Sequence, residues 1–155
     1  MRFSVVICLV ISAMFTGGCN NATTPSLGLS KGKQGEIITL RLAKSEAQIQ
    51  VMDSFLKIAS DSSSGTITVK VRIVNSGKVP FSWIYSEKIA DKEGRIYSGL
   101  AMSFSQGIEL NPGTFAEYEM IFSLIQFSES FYFCGYDTEK QEISQFKIEL
   151  TPKLQ

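Results

Sequence analysis

Across 155 residues, fifteen Lys and Arg balance fifteen Asp and Glu, so the chain as a whole has no charge signature for nucleic acid or for an anionic membrane surface as a partner. It contains no histidine, which removes the usual general base near neutral pH and the commonest metal ligand; neither a catalytic residue, a metal site nor a cofactor is expected. Apolar residues at 44% and charged residues at 19% describe a globular chain rather than a disordered one. A single domain of this size buries roughly two-thirds of its unfolded surface.

The chain opens on Met1-Arg2, a short positive segment, followed by an apolar run of thirteen residues from Phe3 to Phe15, broken only by Ser4 and Ser12. A helix needs about 20 residues to cross the hydrocarbon core, so a cleavable export signal is the better reading. The small residues Gly17 and Gly18 come next, then Cys19. Thr16-Gly17-Gly18-Cys19 resembles the lipobox of bacterial lipoproteins, with Thr16 where leucine is commonest. The resemblance implies cleavage before Cys19, diacylglycerol on its sulfur, and often acylation of the new amine. Two or three acyl chains anchor stably where one is marginal. The competing readings are an ordinary secretory signal followed by chance by cysteine, or an uncleaved anchor. Asn20–Gly35, rich in Asn, Thr, Ser, Gly and Lys, has no apolar period and reads as a flexible tether. The expected organisation is a signal over 1–18, a tether with lipidated Cys19 over 19–35, and one folded domain over 36–155.

From Glu36 onward the repeating signal is alternation. A first strand is expected over Glu36–Leu42, and Gln48–Met52 alternates as well, although Leu42–Gln50 is locally ambiguous with helix. In Thr66–Asn75, Ile67, Val69, Val71 and Ile73 fall on one face, with Thr68, Lys70 and Arg72 on the other. Phe81, Trp83 and Tyr85 share a face of the strand after Pro80. Asp91-Lys92-Glu93-Gly94 is a turn joining that strand to Arg95–Ser98, and Asn111-Pro112-Gly113 is the strongest turn of the chain. The following strand points Ala116, Tyr118, Met120 and Phe122 inward, with Glu117 and Glu119 outward. Phe131–Tyr136 and Gln145–Leu150 complete the set. Seven to nine short strands at this spacing predict an all-β, antiparallel β-sandwich.

Three motifs occur in order: Asn75-Ser76-Gly77 closing a strand, Asp91-x-x-Gly94-x-x-Tyr97, and Leu110-Asn111-Pro112-Gly113. Over about Glu36–Leu150 the chain is similar to the telokin-like, immunoglobulin-like domains of bacterial extracellular lipoproteins of unknown function. That likeness implies an immunoglobulin-like sandwich and an exported setting, and brings no catalytic residues. Immunoglobulin domains join their sheets by a disulfide beside a tryptophan; Trp83 is present and the cysteine pair is not.

Of the three cysteines, Cys8 lies inside the expected signal, Cys19 is consumed if lipidated, and Cys134 remains. With no histidine to activate it and no partner thiol, it reads as a small buried hydrophobe rather than a nucleophile. Glu117 and Glu119 are placed for acid–base work but read first as a solvated strand face, like Lys70 and Arg72. Asp91 and Glu93 carry oxygen ligands, yet turn chemistry accounts for them. Tyr132 and Tyr136, beside Cys134, are the candidate binding face, since exposed tyrosines anchor protein or glycan partners; the alternative is that a neighbouring loop covers them. The leading expectation is a non-enzymatic binding module, lipid-anchored in the cell membrane or outer membrane and facing periplasm or exterior. The alternatives are a structural, assembly or inhibitor-like accessory of an envelope complex, and, behind it, a hydrolase of envelope polymers.

Overall fold

The computed structural model describes residues 28–41, 45–60, 64–83, 86–102 and 108–155, all of them in strands, turns or irregular segments. The strands are β1 (Ser30–Lys33), β2 (Ile37–Arg41), β3 (Glu46–Ile58), β4 (Gly65–Asn75), β5 (Phe81–Trp83), β6 (Ser86–Asp91), β7 (Ile96–Met102), β8 (Ile108–Leu110), β9 (Phe115–Leu124), β10 (Phe131–Asp137), β11 (Glu142–Glu149) and β12 (Lys153–Leu154). Four of the twelve are short edge pieces of two to four residues (β1, β5, β8 and β12), which leaves eight principal strands of a β-sandwich.

Pairing runs β1-β11-β10-β6-β7-β9-β4-β3-β12 without a break, with β2 also on β3 and β5 paired only with β8. The sheet becomes two layers because β7 belongs to both. Its first residues pair with β6 (Lys88↔Ser98, Ile89↔Tyr97, Ala90↔Ile96), and its later ones with β9 (Gly99↔Phe122, Ala101↔Ile121, Met102↔Met120). A register shift between Gly99 and Ala101 marks the corner, the usual way a strand changes sheets. Pairing is antiparallel except at two edges, where β1 runs parallel to β11 and β12 parallel to β3.

Alternation translates into burial. Ile67, Val69, Val71 and Ile73 of β4 are fully buried, as are Ile49 and Val51 of β3, while Tyr118, Met120, Phe122 and Leu124 of β9 complete one wall. The facing wall is Ile89, Phe131, Phe133, Phe146 and Ile148. Phe122 meets Phe133 edge-on across the layers with centroids 6.2 Å apart, and Phe133 meets Phe146 at 5.5 Å. Each such side chain contributes roughly 1.5–3 kcal/mol by leaving water. Outside, Lys70–Glu119 and Arg72–Glu117 form cross-strand ion pairs at 3.0 and 2.5 Å, which engages both strand carboxylates in surface pairing.

Three features depart from the sequence reading. The sheet starts six residues ahead of Glu36, because β1 lies inside the stretch read as tether. Ser-Lys-Gly-Lys has no apolar period; backbone pairing with β11 makes it a strand, and nothing in side-chain patterning reveals that. The strand after Pro80 is two strands: β5 pairs with β8, whereas β6 carries the hairpin to β7. Within the ambiguous stretch, Glu46–Gln50 is strand, the start of β3. Residue 85 and the lipobox lie outside the described residues.

The three motifs are hydrogen-bonding devices. Asn75, fully buried, donates from Nδ2 to the carbonyls of Val79 and Leu110, both at 2.9 Å. Its Oδ1 accepts from the Gly77 N–H (2.9 Å) and Ser45 Oγ (3.3 Å). Its backbone N–H donates to Thr114 O and its carbonyl accepts from Gly113 N. One side chain thus fastens the end of β4 to the turn before β5 and to the Asn111–Gly113 turn. Gly77 is required by close approach, since a Cβ there would sit 2.2 Å from Ser45 Oγ and 2.7 Å from Glu46 N. In the second motif Gly94, at φ 83°, closes the turn, and Tyr97 Oη donates to Asp91 Oδ2 at 2.8 Å.

Asn75→Ala leaves the buried Leu110 carbonyl without that donor, at an expected cost of about 3 kcal/mol. Urea unfolding should show a lower midpoint with an unchanged slope; a loss under about 1 kcal/mol would remove Asn75 from this role.

Candidate functional site

The outer face of the layer containing β1, β11, β10 and β6 carries a shallow groove of about 420 Å³. Lys31 and Lys33 of β1, Glu36 after it, Tyr132 of β10, and Lys147 and Glu149 of β11 form its walls. The register explains the grouping: Lys31 lies opposite Lys147, Lys33 opposite Glu149, and Tyr132 opposite Glu149 on the other side. Lys147 Nζ sits 4.0 Å from the centroid of the half-buried Tyr132 ring, a cation–π contact that holds the ammonium over the groove. Glu36 Oε2 accepts the backbone N–H of Lys33 at 2.7 Å, which fixes that carboxylate at the mouth.

Of the two sequence-predicted tyrosines, Tyr132 therefore lines this groove. Tyr136, also half-buried, stands farther along β10 opposite Ser86 and Ile143 and is not among its lining residues. Cys134 lies between them and is fully buried, its thiol directed at the Lys88 carbonyl (3.4 Å). Burial pushes the thiol up to about 12, against the lowering effect of Lys147 and Lys88, so almost no thiolate exists at neutral pH.

Sequence reasoning passed over a second cluster, inside the sandwich. Glu87 is 4% exposed, and its Oε1 accepts from Trp83 Nε1 (2.6 Å) and from Tyr118 Oη (2.8 Å). Its Oε2 has no hydrogen-bond partner among the described residues. Burial raises the Glu87 carboxyl above its ordinary 4.5, and the two donors oppose the shift without cancelling it. Burial together with the Glu87 carboxylate pushes Tyr118 well above 10.0. The signal was available: Glu87, Ile89 and Asp91 continue in phase with Trp83, so a strand phased on Ile89 turns both acids inward.

Asp91 has the opposite outcome. Burial would raise it, but hydrogen bonds from Arg95, from Tyr97 and from the Arg95 backbone N–H hold its carboxyl below the usual value. Arg95 also reaches Glu93 at 3.0 Å, so the acids of this hairpin are engaged in structure. Among the described residues no three His, Cys, Asp or Glu side chains are grouped to hold a metal ion.

No family model matches the sequence, and no curated protein matches it. In the solved structures, the chain is similar to a secreted protein of Mycobacterium tuberculosis, MPT63, with a TM-score of 0.62 and 14% identity over 80% of this chain and 99% of that one. A protein of Bacillus subtilis described as a candidate lipoprotein gives a TM-score of 0.47 at 18% identity, over 72% of this chain and 38% of that one. At such identities the likeness to MPT63 is one of fold: both are all-β sandwiches.

Because the folded state raises Glu87, it keeps a proton that the unfolded chain has already lost above pH 4.5. Stability therefore falls as pH rises from 4.5 through the raised value. Glu87→Gln keeps an acceptor for Trp83 and Tyr118 without the charge. It should gain on the order of 1 kcal/mol at pH 8 and flatten the difference between pH 5 and pH 8 in urea titrations. An unchanged pH profile would show that Glu87 does not titrate in this way.

Proposed function

We propose that the protein is an exported lipoprotein whose telokin-like, immunoglobulin-like sandwich serves as a non-enzymatic binding module of the cell envelope. The observation that carries this reading is Thr16-Gly17-Gly18-Cys19 directly behind the apolar run Phe3–Phe15. An acylated Cys19 holds the sandwich at a membrane, cell or outer, on the periplasmic or exterior side. The fold of a secreted mycobacterial protein supports the exported setting. The telokin-like affiliation draws support from the motif residues, since Asn75, Asp91 and Tyr97 all do fold-closing work in this sandwich.

The non-enzymatic reading draws support from the side-chain chemistry. The sequence has no histidine, the Cys134 thiol is buried and protonated, and Glu117, Glu119, Asp91 and Glu93 are occupied by Arg and Lys partners. A protein or glycan partner of the envelope would be received on the outer face of β10 at Tyr136, which stands clear of the groove beside Tyr132.

Membrane fractions of cells expressing the wild-type chain should yield an N-terminal peptide that starts at Cys19 and carries the added mass of the lipid. Cys19→Ala should lose both the modification and partition into a detergent phase. A native chain that starts elsewhere, or shows only the unmodified peptide mass, overturns the anchor.

A further inference from the structure

We infer that the β1–β11 groove docks the domain on anionic phospholipid, with Lys31, Lys33 and Lys147 contacting headgroup phosphates. This rests on the lipid-anchor reading above and specifies which face of the sandwich turns toward the membrane.

Two outer faces of the molecule differ in how their charges are paired. On the outer face of β4 and β9, cross-strand neighbours are matched in sign, Lys70 with Glu119 and Arg72 with Glu117. At the groove one facing pair is matched in sign, Lys33 with Glu149, although the two are not within ion-pair distance, while the register sets Lys31 directly against Lys147, and like charges in facing positions are unfavourable. Continuing across the layer, Lys147 lies opposite Cys134 and Cys134 opposite Lys88, so a row of lysines crosses the face. Among the described residues, Lys31, Lys33 and Lys147 have no carboxylate within ion-pair distance, whereas Lys70, Lys92, Lys140 and Lys153 each have one. Glu36 and Glu149 stand in the same groove, but Glu36 gives its oxygen to a backbone N–H. Tyr132 holds the Lys147 ammonium without neutralising it.

The anchored chain also enters the domain at this groove. Ser30, the first residue of β1, is eleven residues after Cys19, a span of at most about 40 Å when fully extended. Acyl chains on Cys19 thus confine the lysine-bearing strand to within about 40 Å of the bilayer surface. The three lysines exceed the two acids of the groove by one charge, so attraction is weak at a distance and acts within a Debye length of about 8–10 Å. Such a site binds little from free solution and becomes effective once the tether makes the encounter intramolecular.

The test is amine footprinting of the full chain, reconstituted in vesicles of phosphatidylcholine alone or mixed with phosphatidylglycerol. Acetylation of Lys31, Lys33 and Lys147 should slow by about fivefold or more in the mixed vesicles, with added salt reversing the effect. Lys78, outside this face, should be unaffected. Equal reactivity in both vesicles overturns the docking. If inorganic phosphate without vesicles slows the same lysines equally, the groove takes a free anion and the lipid source is wrong. The mass of the N-terminal peptide from the same preparation reports the anchor separately. Should Cys19 prove unmodified, the same footprint is read on the chain held to the vesicles by a lipid coupled ahead of Ser30, with slowing in the mixed vesicles supporting the docking and uniform reactivity refuting it.

Discussion

The carboxamide of Asn75 is the constraint on which this sandwich most depends. Four partners converge on one buried side chain, and the backbone of the same residue engages the turn that starts β9. Buried peptide groups that lose water need replacement partners, and a turn packed beneath a sheet has few to offer. Asn75 supplies two donors and an acceptor together, whereas an ionised Asp has acceptors alone and Ser has a single donor. The entry to β5, the end of β8 and the start of β9 are therefore fixed relative to β4 by geometry. Hydrophobic burial then acts on strands whose register is already set.

The second organising feature is the bend in β7. A sandwich built from two separate sheets relies on side chains alone to hold the layers in alignment. Here the backbone ladder passes from one layer to the other through Ser98, Gly99 and Ala101. The Asp91–Arg95–Tyr97 network sits directly before that corner and anchors it in a charge-assisted knot. Trp83, Glu87 and Tyr118 provide the interior counterpart, tying β5, β6 and β9 together by polar contacts within an otherwise apolar space.

Sequence alone showed the parts of the fold where water meets one side of a strand. The alternation of β4, β9 and β11 is a direct imprint of a half-solvated sheet, and the inward residues follow from it. The turns at Asp91–Gly94 and Asn111–Gly113 were legible because Gly and Pro narrow backbone choice. What escaped was decided by pairing rather than by pattern. β1 is held by parallel backbone bonds to a strand more than a hundred residues away, so its lysines gave no hint of a shared groove with Lys147 and Tyr132. Glu87 was missed because an acid at an inward position contradicts the pattern being sought. Tyr132 and Tyr136 alternate on one strand, yet only the neighbouring strands determine that the groove takes in the first and not the second.

The parallel alignment of β1 with β11 has a mechanical consequence. For a pull on Ser30 directed along the axis of β1, the bonds pairing that strand with Phe146–Glu149 lie across the direction of force. They are loaded together in shear instead of being opened one after another, as an antiparallel hairpin end would be. Gln34, just past the strand, adds its N–H to the Glu149 carbonyl and its side-chain carbonyl to the Ser54 hydroxyl and the Thr151 N–H. The point where force would enter the domain is thus also where several distant segments share the strain.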